Sequence, residues 1–179
     1  EIKTIGAPTL KSFLYHANDY KGIICPIFDA RRNQVYSGAY QWIRDEHPGK
    51  SKNESPCRKE VQASYRELVI GDAYDLPQLL EKLKTILLKE SNVSTALEIT
   101  FFGDGIISYK EQIIDWQNAS LNDNIRVLFA NDKIRLQNAS SVARLALEYY
   151  RQGRMKSLYD LKPVYMRKAE AERKLEEKS

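Results

Sequence analysis

The chain has only two cysteines, Cys25 and Cys57, and two histidines, His16 and His47, in 179 residues. Two cysteines are too few for a disulfide framework. Cys25 lies inside an apolar run and reads as a small buried hydrophobe, whereas Cys57 falls in a polar stretch. A metal site needs several nitrogen, sulfur or oxygen ligands within a few ångströms of one another. The histidines are far apart, with no His-x-x-x-His spacing and no paired cysteines, so the metal case is weak. A Gly-x-Ser-x-Gly elbow is also absent, which leaves no signal of a nucleophilic triad. His16 reads as a surface helix residue. No apolar run approaches the ~20 residues of a membrane span. The start, Glu1-Ile2-Lys3-Thr4, carries neither Met nor a charged-then-apolar leader, so the natural chain is expected to begin upstream. Four sequons, at Asn53, Asn92, Asn118 and Asn138, read as chance matches without a secretion signal, and the expected compartment is the reducing cytoplasm.

What is present describes a folded domain. Hydrophobic residues make up 42% and charged residues 29%, enough for one core, or two small subdomains sharing one. The net charge of +4 is a mild excess spread along the chain. A dedicated nucleic-acid binder clusters its Lys and Arg, so direct RNA binding is a lesser reading.

Pro8-Thr9-Leu10 opens a helix whose Leu10, Phe13, Leu14 and Ala17 share one face. Ile23 to Phe28 reads as a buried strand, Asp29 to Asn33 as a polar turn, and Val35 to Ile43 as the return strand of a hairpin. An exposed loop is expected at 44–58, and a third strand at Glu60–Ile70. Asp75 and Gln78 have capping-box spacing before a helix with a buried stripe of Leu76, Leu79, Leu80, Leu83, Ile86 and Leu87. Leu97–Phe102 reads as a strand, a helix is expected from about Ser108, and a short strand at Ile125–Ala130. Asn138 caps a helix stopped by Gly153. The tail is extended over Leu161–Met166 and helical over 168–179. The order implies a single α/β domain over 1–179 with a mixed sheet flanked by helices.

Two segments carry candidate chemistry. In Asp29-Ala30-Arg31-Arg32-Asn33-Gln34-Val35-Tyr36, an acid, two bases and an aromatic share one hairpin. This is either a salt-bridged turn or a place where Arg31 and Arg32 hold a phosphate or a partner's carboxylates. Gly103-Asp104-Gly105, between a strand and a helix, reads as a tight connection. The alternative is a phosphate turn using backbone N–H groups, although Ser108 breaks the full Gly-x-Gly-x-x-Gly fingerprint.

Together, Gly6-Ala7-Pro8-Thr9-Leu10, the Asp29–Tyr36 hairpin, Phe102-Gly103-Asp104-Gly105 and the tail from Pro163 through Tyr165 and Arg167 to Glu172 resemble the TsaB family. These proteins were formerly described as YeaZ, glycoprotease-like or M22-peptidase-like. The resemblance implies the C-terminal half of an ASKHA (actin/Hsp70/sugar-kinase, ribonuclease H-like) fold, with the family's N-terminal lobe absent. It implies a non-catalytic scaffold that partners the catalytic paralogue TsaD and the ATPase TsaE in tRNA threonylcarbamoyladenosine synthesis. The tRNA is met indirectly through the complex, and homodimers are a further implied association. No cofactor is implied in this chain, since ATP and metal belong to the partner subunits. Asp29, Arg31, Arg32, Gln34, Tyr36, Pro163, Tyr165 and Arg167 become partner or structural residues, with Gly103, Asp104 and Gly105 as the candidate phosphate turn. The competing reading is an enzyme, either a glycoprotease or an ATP-binding ASKHA protein.

Overall fold

The apolar run at Ile23 becomes the central strand of the sheet, because its residues are covered on both faces. Ile23, Cys25 and Ile27 point into one core and Ile24 and Phe28 into another, the period of two expected of a strand. The computed structural model describes residues 2–16, 20, 22–43, 64–90, 97–120 and 124–167. The loop expected at 44–58, the helix at 168–179, residues 60–63 of the third strand, Ala17 and Cys57 lie outside the described residues.

Strand β1 (Lys3–Thr4) precedes helix α1 (Thr9–His16), the hairpin strands β2 (Ile23–Asp29) and β3 (Gln34–Ile43), and β4 (Ser64–Asp75). Helix α2 (Leu76–Glu90), β5 (Leu97–Phe102), α3 (Gly105–Ser120), β6 (Ile125–Phe129) and α4 (Ala139–Arg151) follow. The chain then forms β7 (Lys156–Ser157) and a single 3-10 turn at Leu158–Asp160. The five-stranded sheet runs β4-β3-β2-β5-β6. The β2–β3 and β3–β4 pairs are antiparallel, and β2–β5 and β5–β6 are parallel. A separate antiparallel pair, β1 with β7, ties the start of the chain to the tail; the sequence pattern gave no sign of it.

The leucine stripe of α2 is core packing. Leu76, Leu79, Leu83 and Leu87 are fully buried and Ile86 partly so, against the sheet face that α3 also covers. Each such side chain contributes about 1.5–3 kcal/mol by leaving water. On the opposite face Leu10, Phe13 and Leu14 of α1 meet Ile24, Tyr40 and Phe102.

Three local readings change. The third strand continues to Asp75 rather than ending at Ile70, because Asp72, Ala73 and Tyr74 pair with Ser37, Tyr36 and Val35. Ladder hydrogen bonds outweigh the poor strand propensity of Gly71 and Asp72. Asp75 is then a strand residue whose Oδ1 accepts from Gln34 Nε2 at 2.9 Å. Helix α3 starts at Gly105, so Ser108 lies inside it. His16 is half-buried: its Nε2 donates to the Ile134 carbonyl at 2.6 Å, leaving Nδ1 to accept from Asn138 Nδ2 at 2.8 Å.

Pro26 sits in a central strand, where its missing N–H needs an irregular partner. The ladder to β3 skips it: Ile24 pairs with Tyr40 and Ile27 with Ser37. The buried Ser37 hydroxyl donates to the Pro26 carbonyl at 2.8 Å.

Asn138 caps α4 as the spacing predicts, accepting from Ser141 N at 2.8 Å. Because the same side chain holds His16, Asn138→Ala is expected to cost about 1–2 kcal/mol, measured as a fall in the urea unfolding midpoint. Burial pushes the Cys25 thiol up to about 12, so little thiolate forms near neutrality. In a Cys57→Ser background, Cys25 is expected to react with a thiol reagent only at the rate of global unfolding. Labelling faster than unfolding by amide exchange would contradict its burial.

Candidate functional site

The hairpin tip is built without glycine, yet Arg31, Arg32 and Asn33 all adopt left-handed φ values of 62°, 56° and 60°. Asn tolerates this region, but each arginine there costs roughly 1–2 kcal/mol. Backbone contacts hold the tip in place. Ala30 N donates to the Gln34 carbonyl at 2.9 Å, Gln34 N to Arg31 O at 3.1 Å, and Leu76 N to Asn33 O at 3.1 Å. Arg31 and Arg32 lie exposed at this tip.

Asp29 organises the base of the hairpin. Its Oδ1 accepts from Arg31 N at 2.7 Å and from the Tyr109 hydroxyl at 3.0 Å, and its Oδ2 from Ser108 at 3.4 Å. The Arg31 amide, followed by the two hydroxyls, holds the Asp29 carboxyl below the usual carboxylate range. Burial, and then Asp29 itself, push Tyr109 above the usual phenol range. Tyr109 and Ser108 did not emerge from the sequence as partners of Asp29, because the later helix start misplaced them relative to the strand end.

The Gly103-Asp104-Gly105 turn packs against the same strand end. Asp104 Oδ1 accepts from Asp29 N at 3.1 Å. Gly103 has φ +97°, and a Cβ there would stand 2.0 Å from the Ile27 carbonyl oxygen. Its N–H donates to Arg135 O at 2.7 Å. In this geometry the glycines serve close approach to β2, and two carboxylates occupy the turn's surroundings.

The tail returns to the hairpin. Arg167 Nη1 donates to the Ala30 carbonyl at 3.1 Å. This contact helps form an open groove of ≈ 480 Å³. Leu10, Phe28, Val164 and Met166 supply its apolar surface, and Thr9, Tyr36, Gln137 and Arg167 its polar groups, with Tyr165 alongside. The structure thus brings Tyr36, Tyr165 and Arg167 to one place, with Asp29 and Arg31 at the adjoining hairpin. Gln34 is drawn to Asp75 instead, and Pro163 lies in the exposed extended tail. Phe28 and Gln137 reach the groove only through the fold; Thr9 and Leu10 belong to a segment that already carried the resemblance.

No protein-family model matches the chain, and no curated protein matches it. A solved structure does: a crystal structure of an uncharacterized protein with similarity to peptidase YeaZ, from Pseudomonas aeruginosa. The match has a TM-score of 0.50 at 17% sequence identity and covers 91% of this chain and 57% of that one. The fold is YeaZ-like. At this identity the likeness speaks for architecture alone, and the chain spans little more than half the length of its neighbour. The five-stranded mixed sheet flanked by helices is consistent with the expected ASKHA-like lobe. Among the described residues, no helix is long and apolar enough to cross a membrane.

A depressed folded pKa stabilises the protein above the unfolded carboxyl value, and the contribution disappears as pH falls through the folded value. The stability difference between wild type and Asp29→Asn is therefore expected to be largest near neutrality. It should shrink as urea melts are taken from about pH 7 to about pH 2. A difference independent of pH would mean that the carboxylate charge contributes nothing.

Proposed function

We propose that this YeaZ-like chain is a non-catalytic scaffold subunit of a cytoplasmic tRNA threonylcarbamoyladenosine-modifying assembly. In this reading it supports a TsaD-type catalytic subunit, alongside a TsaE-type ATPase. Those partners hold the ATP and the metal, and they bring the tRNA. The observation that carries the reading is the 3.1 Å hydrogen bond from Arg167 to the Ala30 carbonyl. It joins two of the four segments that carry the TsaB resemblance, the hairpin and the tail, across 137 positions of sequence. The Asp29 carboxylate beside this junction holds the hairpin tip and α3, and elsewhere both ring nitrogens of His16 are engaged. Arg31 and Arg32 on the exposed tip, with Tyr165 beside the groove, offer a surface suited to a partner's carboxylates.

The test is co-purification of the chain with a TsaD-type partner, followed by threonylcarbamoyl transfer to tRNA with TsaE added. Arg31→Ala and Arg167→Ala are expected to weaken assembly or lower thermal stability, with no activity of the isolated chain to lose. Unchanged stability together with unchanged complex formation would remove these residues from the role. Cleavage of a glycoprotein by the purified chain alone would establish the peptidase reading in place of the scaffold.

A further inference from the structure

The groove beside the hairpin has a composition of its own. Among the described residues that line it, Arg167 is the only charged one. Of the guanidinium's five N–H groups, Nη1 reaches Ala30 O; the other nitrogens have no protein partner among the described residues. Tyr36, Gln137 and Thr9 also line the groove, and each side chain carries a donor. Leu10, Phe28, Val164 and Met166 supply the apolar part of the lining. Val164, which lines it, is 84% exposed among the described residues.

A concave apolar surface with a few convergent polar groups, and a volume within the usual range for small-molecule sites, is the form a ligand pocket takes. All four polar side chains can donate and one carries positive charge, so the complementary ligand is rich in acceptors and negatively charged. From the geometry we infer that this groove binds a small organic anion. Its carboxylate or sulfonate-like head lies on Arg167, Tyr36 and Gln137, and its flat apolar body on Phe28, Leu10 and Met166. Arg167 suits the head because its planar fork keeps free donors while one arm holds the hairpin. The Met166 thioether suits an aromatic body.

The site shares Arg167 and Tyr165 with the scaffold reading, so Tyr36→Phe and Gln137→Ala separate the two: lost anion binding with assembly retained in these variants bears on the groove alone.

Anilinonaphthalene sulfonate, a fluorescent aromatic anion, is the probe, and its uncharged analogue phenylnaphthylamine is the control. The chain is expected to bind the sulfonate saturably at one site, with amide NMR shifts confined to residues around Leu10, Phe28, Tyr36 and Gln137. Arg167→Gln should weaken binding about tenfold or more through loss of a charge-assisted contact. Because that change also removes the tail's anchor, Tyr36→Phe and Gln137→Ala, which leave the anchor in place, are tested beside it. Each is expected to weaken the sulfonate about threefold while leaving the uncharged analogue unchanged. Arg126→Gln, on β6 and paired with Glu98, should have no effect. Equal affinity for the charged and uncharged probes, undiminished binding in both groove variants, shifts scattered over the surface, or no saturable binding would each overturn the proposal.

Discussion

The Asp29 carboxylate is the interaction on which the rest of the site depends. It ends the central strand, and the chain must reverse within the next few residues without glycine. Three successive left-handed residues, two of them arginine, would not hold that geometry by local preference. Accepting the Arg31 amide fixes the first of them, and accepting from Tyr109 and Ser108 secures the same carboxylate to α3. The hairpin tip is thereby braced against the helical layer on one side, and against the start of α2, through the Asn33 carbonyl, on the other.

That bracing needs the neighbouring connection to come very close. At Gly103 even a methyl group would collide with the Ile27 carbonyl. Absence of a side chain there lets Asp104 approach Asp29 N and sets where α3 begins. The glycine turn and the aspartate are therefore parts of one construction at the ends of β2 and β5. This explains why residues suggestive of a phosphate turn sit among carboxylates and engaged N–H groups.

On the other side of the sheet, the tail and the loop before α4 are fixed by side chains reaching back across the chain. His16 grips Ile134 and Asn138, and Asn138 starts α4. Arg167 lands on Ala30, so the tail is positioned by the hairpin that Asp29 stabilises. The groove is a consequence of these two anchors. Its apolar surface comes from α1, β2 and the tail, and its donors from α1, β3, the loop before α4 and the tail. The same dependence means that a loosened tip would release the tail at Arg167.

The sequence by itself determined those features whose energetics are local. A continuous apolar run made β2, the leucine period made α2, Asn138 announced its cap, and the order of elements implied the mixed α/β sheet. Glycine at 103 and the Asp-Ala-Arg hairpin were likewise visible as unusual residues. Only tertiary structure decided what they touch. Strand β4 ran on through Gly71 and Asp72 because a ladder partner stood opposite, and α3 began early because Asp104 could pack on Asp29. His16 left the surface once Ile134 and Asn138 came within reach. Residues such as Phe28 and Gln137 carry no local signal of a groove. A groove is made where elements distant in sequence meet, and the energy that brings them together is burial and hydrogen bonding across the fold, not the periodicity of any one segment.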